Sequence, residues 1–81
     1  MPKRNIIGEK VKLARGKAVP KITQTDLAAR LQIQGLQIER TTISKIETGY
    51  REVKDIELVN LAKALDVSAA WLLGECDDTS R

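Results

Sequence analysis

Residues 22–49 read ITQTDLAARLQIQGLQIERTTISKIETG, and this stretch predicts two short helices joined by a turn. Thr23 is a suitable N-cap for the first helix, and Asp26 stands three residues further on, as in a capping box. The apolar stripe of that helix is formed by Leu27, Ala28 and Leu31. The second helix is expected over about residues 40–48, with Gly49 well placed as the left-handed residue that ends it.

The connection between these two helices, residues 32–39, is long for a turn and contains Gly35. Its QGLQI segment either extends the first helix or bulges from the turn. Three large side chains in the connection are apolar enough to pack back onto the domain. They are Ile33, Leu36 and Ile38.

Helical periodicity continues on both sides of the quoted stretch, and neither a two-residue alternation nor an internal repeat is present. A first helix is expected to follow Asn5 and to be broken around Gly16 and Pro20. A fourth helix is expected after an N-cap at Asp55, and a short fifth helix after Ser68. Five short helices with tight connections predict an all-α fold.

The chain has 81 residues, so we expect one domain over residues 1–75 with a flexible tail at 76–81. Hydrophobic residues make up 42% and charged residues 31%, which excludes a disordered tail as the main interpretation. The net charge is +6 over residues 1–21, +1 over 22–54 and −4 over 55–81, or +3 in all. This distribution favours a polyanionic partner on one face.

The sequence contains few residues of the types that enzymatic catalysis requires. The chain has no His, the most common general base and metal ligand, and its lone Cys76 has no neighbouring base to activate it. We therefore expect no catalysis, no metal site and no small-molecule cofactor. No apolar run of membrane-spanning length and no signal-peptide pattern occurs, which favours a cytoplasmic, nucleoid-associated protein without membrane contact.

The helix predicted over residues 40–48 has two chemically distinct sides. Ile43 and Ile46 are three positions apart and are expected to face the core. The other side is polar, with two cations and no acid, and comprises Arg40, Thr41, Ser44, Lys45 and Thr48. A helix that enters the DNA major groove needs short side chains for close approach and a few long donors. The alternative is an ordinary solvated helix face.

Three further residues favour contact with DNA. Gln24 stands at the positive end of the first quoted helix, where its amide and backbone N–H groups can together hold a phosphate. Arg51 and Lys54 lie in the loop after the second helix. They either bind the same strand of the DNA backbone or are solvated loop charges. Together with the polar helix face, these residues predict double-stranded DNA as the partner.

The chain resembles the Cro/CI-like family of phage-repressor helix-turn-helix domains, also called the XRE family. The matching stretches are IGEKVKLAR, ITQTDLAARL, RTTISKIETGYR, LVNLAKALDVS and AAWLLGE, which together span residues 7–75. The resemblance implies a compact five-helix, lambda-repressor-like domain. Its helix-turn-helix would cover about residues 23–48, with an extended turn at 32–39 where the family has a tight one.

The resemblance also implies roles for single residues. Gln24 would contact phosphate, and the residues around Arg51 would meet the DNA backbone. The positions that would face bases are Arg40, Thr41, Ser44 and Lys45. Arg15 and Glu47 match family residues that are expected to form an ion pair inside the fold, so Glu47 is not expected to contact DNA.

Family members usually bind two-fold symmetric DNA sites as homodimers that pair through their C-terminal helices. Trp71 and Leu72 are therefore candidate dimer contacts, because Trp is favoured at buried interface centres. A place in the core is the alternative for Trp71. With Tyr50 as the only other aromatic residue, the chain lacks a stacking platform for single-stranded nucleic acid.

The leading hypothesis is thus a sequence-specific double-stranded DNA binder, a transcriptional repressor of bacterial, phage or mobile-element origin. The alternative is a protein-interaction module, such as an antitoxin or an adaptor, that keeps the same fold. The long connection at residues 32–39 and the acidic last third of the chain motivate this second hypothesis.

Overall fold

The computed structural model of the chain describes residues 3–75. It contains five helices, which are α1 (Gly8–Lys17), α2 (Gln24–Ile33), α3 (Arg40–Thr48), α4 (Asp55–Leu65) and α5 (Ala69–Leu72). No strand occurs within the described range. The expected all-α, five-helix architecture is therefore confirmed. The tail predicted at residues 76–81, with its Cys76, lies outside the described residues.

The ends of α2 and α3 follow from local capping chemistry. The Thr23 hydroxyl accepts the Asp26 N–H at 3.0 Å, and the Asp26 carboxylate accepts the Thr23 N–H at 3.1 Å, which is the predicted capping box. Gly49 ends α3 in the left-handed region with φ 85°, also as predicted. The exposed Asp26 carboxyl has its pKa lowered, first by the backbone hydrogen bond from Thr23.

Two predicted helix boundaries were wrong by about a turn or less. Gly16 does not break α1 but lies inside it, where a Cβ would meet open space. Asp55 is the first residue of α4 rather than its N-cap, which is Lys54. The Glu57 carboxylate accepts the Lys54 N–H at 3.0 Å. A side chain of α4 itself therefore satisfies the backbone N–H of the N-cap residue.

The core is built from the apolar sides of the four longer helices and from α5. Its largest fully buried side chains are Val11, Leu27, Leu31, Ile43, Ile46, Leu61 and Leu72. Burial of each such side chain contributes about 1.5–3 kcal/mol before conformational entropy is subtracted. Because Ile43 and Ile46 are both fully buried, the opposite side of α3 is held toward solvent.

α1 approaches α3 closely at Gly8. A Cβ on Gly8 would collide with the carbonyl oxygen of Ile46 and would lie 2.8 Å from that of Glu47. Both obstacles are backbone atoms of α3, which cannot rotate away. The absence of a side chain at Gly8 therefore allows the contact that positions α3, a role that the sequence analysis did not single out.

The connection between α2 and α3 combines a helix extension with a short loop. The last residue of α2 is Ile33. Gly35, just after the C-cap residue Gln34, adopts the left-handed conformation with φ 91°. The N–H of Leu36 donates to Leu31 O at 2.9 Å and the N–H of Gly35 to Gln32 O at 3.0 Å, the hydrogen bonds of a Schellman ending.

The three apolar residues of this connection differ in how deeply they are buried. Ile38 is buried and Leu36 packs partly against the core, as expected. Ile33 was expected to pack back but is 86% exposed. The reason is helical phase, since Ile33 lies about 200° around α2 from the buried Leu31. The side-chain amide of Gln34 donates to the backbone oxygen of Asn60 at 2.9 Å and so ties the turn to α4.

Candidate nucleic-acid interface

The outward side of α3 is a polar surface. Arg40, Thr41, Lys45 and Thr48 are exposed, and Ser44 is half-buried. Within residues 3–75, the Arg40 and Lys45 side chains make no hydrogen bond or ion pair, so their donors are free. The Thr48 hydroxyl instead donates into its own helix, at 3.1 Å from Ser44 O. This side of α3 therefore offers two unpaired cations among short polar side chains.

The one acid of α3 is turned away from that surface. Glu47 accepts two hydrogen bonds from Arg15, at 2.6 Å from Nε and 2.9 Å from Nη2. The Glu47 side chain is only 5% exposed and that of Arg15 16%. Hydrogen bonding to Glu47 raises the pKa of Arg15. The bidentate pair neutralises a carboxylate that would otherwise repel a polyanion beside α3.

Gln24 lies beside this ion pair rather than entirely on the surface. It is half-buried, and its Nε2 donates to Glu47 Oε1 at 3.1 Å. One of its two amide hydrogens is therefore committed inside the fold. The other hydrogen and the backbone N–H groups of Gln24 and Thr25 remain for a ligand, whereas the Asp26 N–H is already bonded to the Thr23 hydroxyl.

Arg51 is also engaged within the fold. Its Nη1 and Nη2 donate to the two Glu57 oxygens at 2.8 and 2.9 Å, and Nη1 also donates to Glu52 O. These hydrogen bonds from Arg51 are the main cause that holds the pKa of Glu57 below its ordinary value. Glu57 is buried and was not singled out from the sequence. The charge of Arg51 is therefore already shared with a carboxylate.

Two open concavities lie at the two ends of the polar side of α3. The start cleft, of about 430 Å³, is lined by Arg15, Gly16, Lys21, Ile22, Thr23, Gln24, Thr25 and Arg40. The end cleft, of about 580 Å³, is lined by Arg4, Lys45, Tyr50, Arg51, Glu52 and Lys54. Cations outnumber acids in both, with three to none in the first and four to one in the second. Such concavities favour anionic ligands.

Arg4 lines the end cleft and Asn5 follows it in the chain, and neither residue was predicted as a site residue. The Asn5 amide donates to Ile46 O at 3.0 Å and to Arg51 O at 2.7 Å, while its oxygen accepts the N–H groups of Ile7 and Gly8. The sequence marked Asn5 as a helix start. The two long-range bonds, to Ile46 in α3 and to Arg51 in the loop after it, carry no local sequence signal and could not have been predicted.

Trp71 and Leu72 do not lie where a dimer contact requires them. Trp71 is 5% exposed and Leu72 is fully buried. The Nζ of Lys10 lies 4.7 Å from the centre of the Trp71 ring, a cation–π contact between α1 and α5. Both side chains are core residues of one chain, because α5 docks its apolar side on the other helices. They offer almost no surface to a second copy.

Other kinds of site find no support in the described part of the chain. Residues 3–75 contain no group of three or more His, Cys, Asp or Glu side chains placed to hold a metal ion. None of the helices in that range has the length and apolar character needed to cross a bilayer.

A family model described as helix-turn-helix matches residues 20–72, more than half of the chain. The match covers α2 to α5 and most of the residues around both clefts. No curated protein and no solved structure matches the chain significantly. The matched family consists of DNA-binding domains that are generally transcription regulators and not typically enzymes. The chain therefore belongs to the Cro/CI-like helix-turn-helix family, the XRE family, and has its lambda-repressor-like fold.

Proposed function

We propose that this protein reads a specific double-stranded DNA sequence with α3 and represses transcription in a bacterium, phage or mobile element. The observation that carries the proposal is the outward side of α3. It presents Arg40 and Lys45 with no hydrogen-bond or ion-pair partner among the described residues 3–75, while the only acid of the helix, Glu47, is buried and paired. That arrangement suits a helix in the major groove, which must approach bases closely without repelling phosphate.

The proposed roles follow the position of each residue. On the side of α3 that would face bases are Arg40, Thr41, Ser44 and Lys45. Gln24, at the start cleft, would meet one backbone strand with its second amide hydrogen and the N–H groups of α2. Thr48, Lys54 and the half-exposed Arg51 would face the other strand near the end cleft.

We further propose a homodimer on a two-fold site. A single nine-residue reading helix covers only one half-site, and two half-sites lie about 34–36 Å apart on one face of the duplex. With Trp71 and Leu72 in the core, the exposed apolar residues of α4 and the chain after it are better contacts. These are Ile56, Val59 and Leu73. Sedimentation of the free protein and of its complex with duplex tests this arrangement.

A random-duplex selection with the purified protein tests the main proposal. We expect enrichment of one sequence, with binding that weakens linearly in log Kd against log salt. Arg40→Ala should cost about 1–3 kcal/mol of binding free energy and relax preference at one base position. Lys63→Ala, an exposed cation that lines neither cleft, is the matched control. Selection of the same site by Arg40→Ala would remove the base-reading role.

The second candidate is a protein-interaction module such as an antitoxin or an adaptor. The observation that favours it is Ile33, which is 86% exposed at the turn next to α3. Singly exposed apolar residues are common, however, and α3 itself is polar and cationic. Absence of duplex binding at low salt, together with tight capture of a protein partner, would favour this candidate.

A further inference from the structure

We propose that Arg4, which precedes all five helices, binds a backbone phosphate of the DNA in the end cleft, and that Asn5 is the positioning residue that holds it there. This inference rests on the proposed DNA binding and adds a contact outside the helix-turn-helix. Arg4 lines the end cleft together with Lys45 and Tyr50. The segment that carries it lies outside the matched range of residues 20–72.

The backbone around Arg4 is attached to the end of α3. The Arg4 N–H donates to Gly49 O at 2.8 Å, and the next residue, Asn5, donates to Ile46 O and Arg51 O. The Lys3 side chain lies over Gly49, so closely that a Cβ there would be 2.9 Å from it. The segment is thus ordered before any ligand arrives, which lowers the entropy lost when Arg4 binds.

The charges of the end cleft single out Arg4 among its cations. Arg51 donates from both terminal nitrogens, Nη1 and Nη2, to Glu57, and the charge of Lys54 also lowers the pKa of Glu57. Arg4, Lys45 and Lys54 are the three cations of this cleft whose side chains have no hydrogen bond or ion pair within residues 3–75. Of these three, only Arg4 has a guanidinium, the group that binds phosphate oxygens through two parallel hydrogen bonds.

A phosphate in the end cleft would meet further donors. The Tyr50 ring is 68% exposed there, and its hydroxyl can donate to a phosphate oxygen. Because Lys45 belongs both to this cleft and to the polar side of α3, the phosphate would be adjacent to the base-reading surface. Arg4 would therefore fix the register of α3 on the duplex without reading sequence.

The experiment compares wild type, Arg4→Gln and the matched control Lys63→Gln on the selected duplex and on an unrelated one at four salt concentrations. We expect Arg4→Gln to weaken binding to both duplexes about equally and to reduce the log–log salt slope by about 0.9, the value for one phosphate contact. Lys63→Gln should leave the slope unchanged. Thermal unfolding should be the same for all three proteins, because the exposed Arg4 side chain makes no hydrogen bond or ion pair within residues 3–75.

Asn5→Ser tests the positioning role, because Ser can still cap α1 but cannot donate to Ile46 O and Arg51 O together. Asn5→Ser should weaken duplex binding more in wild type than in Arg4→Gln, at a temperature where all variants are folded. Equal effects in both backgrounds would overturn that role. An unchanged salt slope in Arg4→Gln would overturn the phosphate contact and leave the proposed function standing. Failure of wild type to bind any duplex would instead overturn the proposed function, and this inference with it.

Discussion

Two arginine–glutamate pairs lie beside the C-terminal end of α3, one between helices and one in the loop that follows, and they differ in reach. Arg15 and Glu47 lie 32 residues apart and join α1 to α3. Arg51 and Glu57 lie six residues apart and join a loop to the first turn of α4. Both carboxylates are buried, whereas the Arg15 side chain is 16% exposed and that of Arg51 33%.

Because of this difference, the two pairs have different structural roles. The Arg15–Glu47 pair belongs to the packing between helices, because Arg15 also donates to Ile22 O and Gln24 donates to Glu47. The Arg51–Glu57 pair shapes the surface loop after α3, and the long-range attachment of that loop is supplied by Asn5. We therefore expect loss of the first pair to damage the fold and loss of the second to damage mainly the end cleft.

The largest effect is expected from Arg15→Met. It leaves the Glu47 carboxylate buried without a cation, which costs about 3–5 kcal/mol in a small domain. Urea unfolding of the free protein measures the loss. Arg15→Met combined with Glu47→Leu should recover much of it, because the stranded charge is then absent. A single variant as stable as wild type would contradict the claim that this pair belongs to the core.

A smaller effect is expected from Arg51→Met, about 1–2 kcal/mol, because water reaches the exposed third of Arg51 and can partly solvate the Glu57 carboxylate. The same urea titration measures it, with Lys63→Met as the control for loss of a surface cation. If Arg51→Met proved as costly as Arg15→Met, the proposed division between a packing pair and a loop pair would be wrong.

The sequence predicts those features of α2 and α3 that depend on local signals. The capping box at Thr23, the end of α3 at Gly49 and the inward side of α3 at Ile43 and Ile46 each follow from residues within one or two turns. They required no knowledge of the rest of the chain. The sequence-level description of α3 therefore matches the structure from one end of the helix to the other.

The features that could not be predicted are those that join distant segments. Gly8 matters only because the backbone of α3 passes beside it, and Asn5 only because two distant carbonyl oxygens meet its amide. Ile33 looked as apolar as Ile38, yet helical phase and the Schellman ending send one outward and the other inward. Spacing along the chain does not contain these contacts.

The smallest effect expected is a difference in acid stability that depends on the Arg51–Glu57 pair. The folded pKa of Glu57 lies below its unfolded value of about 4.3, so the stability it adds is present above that pH and is lost as pH falls through the folded pKa. Hydrogen bonds from Arg51 are the first cause of that shift, so Arg51→Met should lose less stability than wild type between pH 6 and about pH 3. Asp26, whose lowered pKa depends on Thr23, should contribute equally in both proteins and serves as an internal reference. Urea midpoints across this range provide the measurement. Identical acid dependence in the two proteins would show that the Glu57 carboxylate, in the first turn of α4, does not depend on Arg51 for its charge.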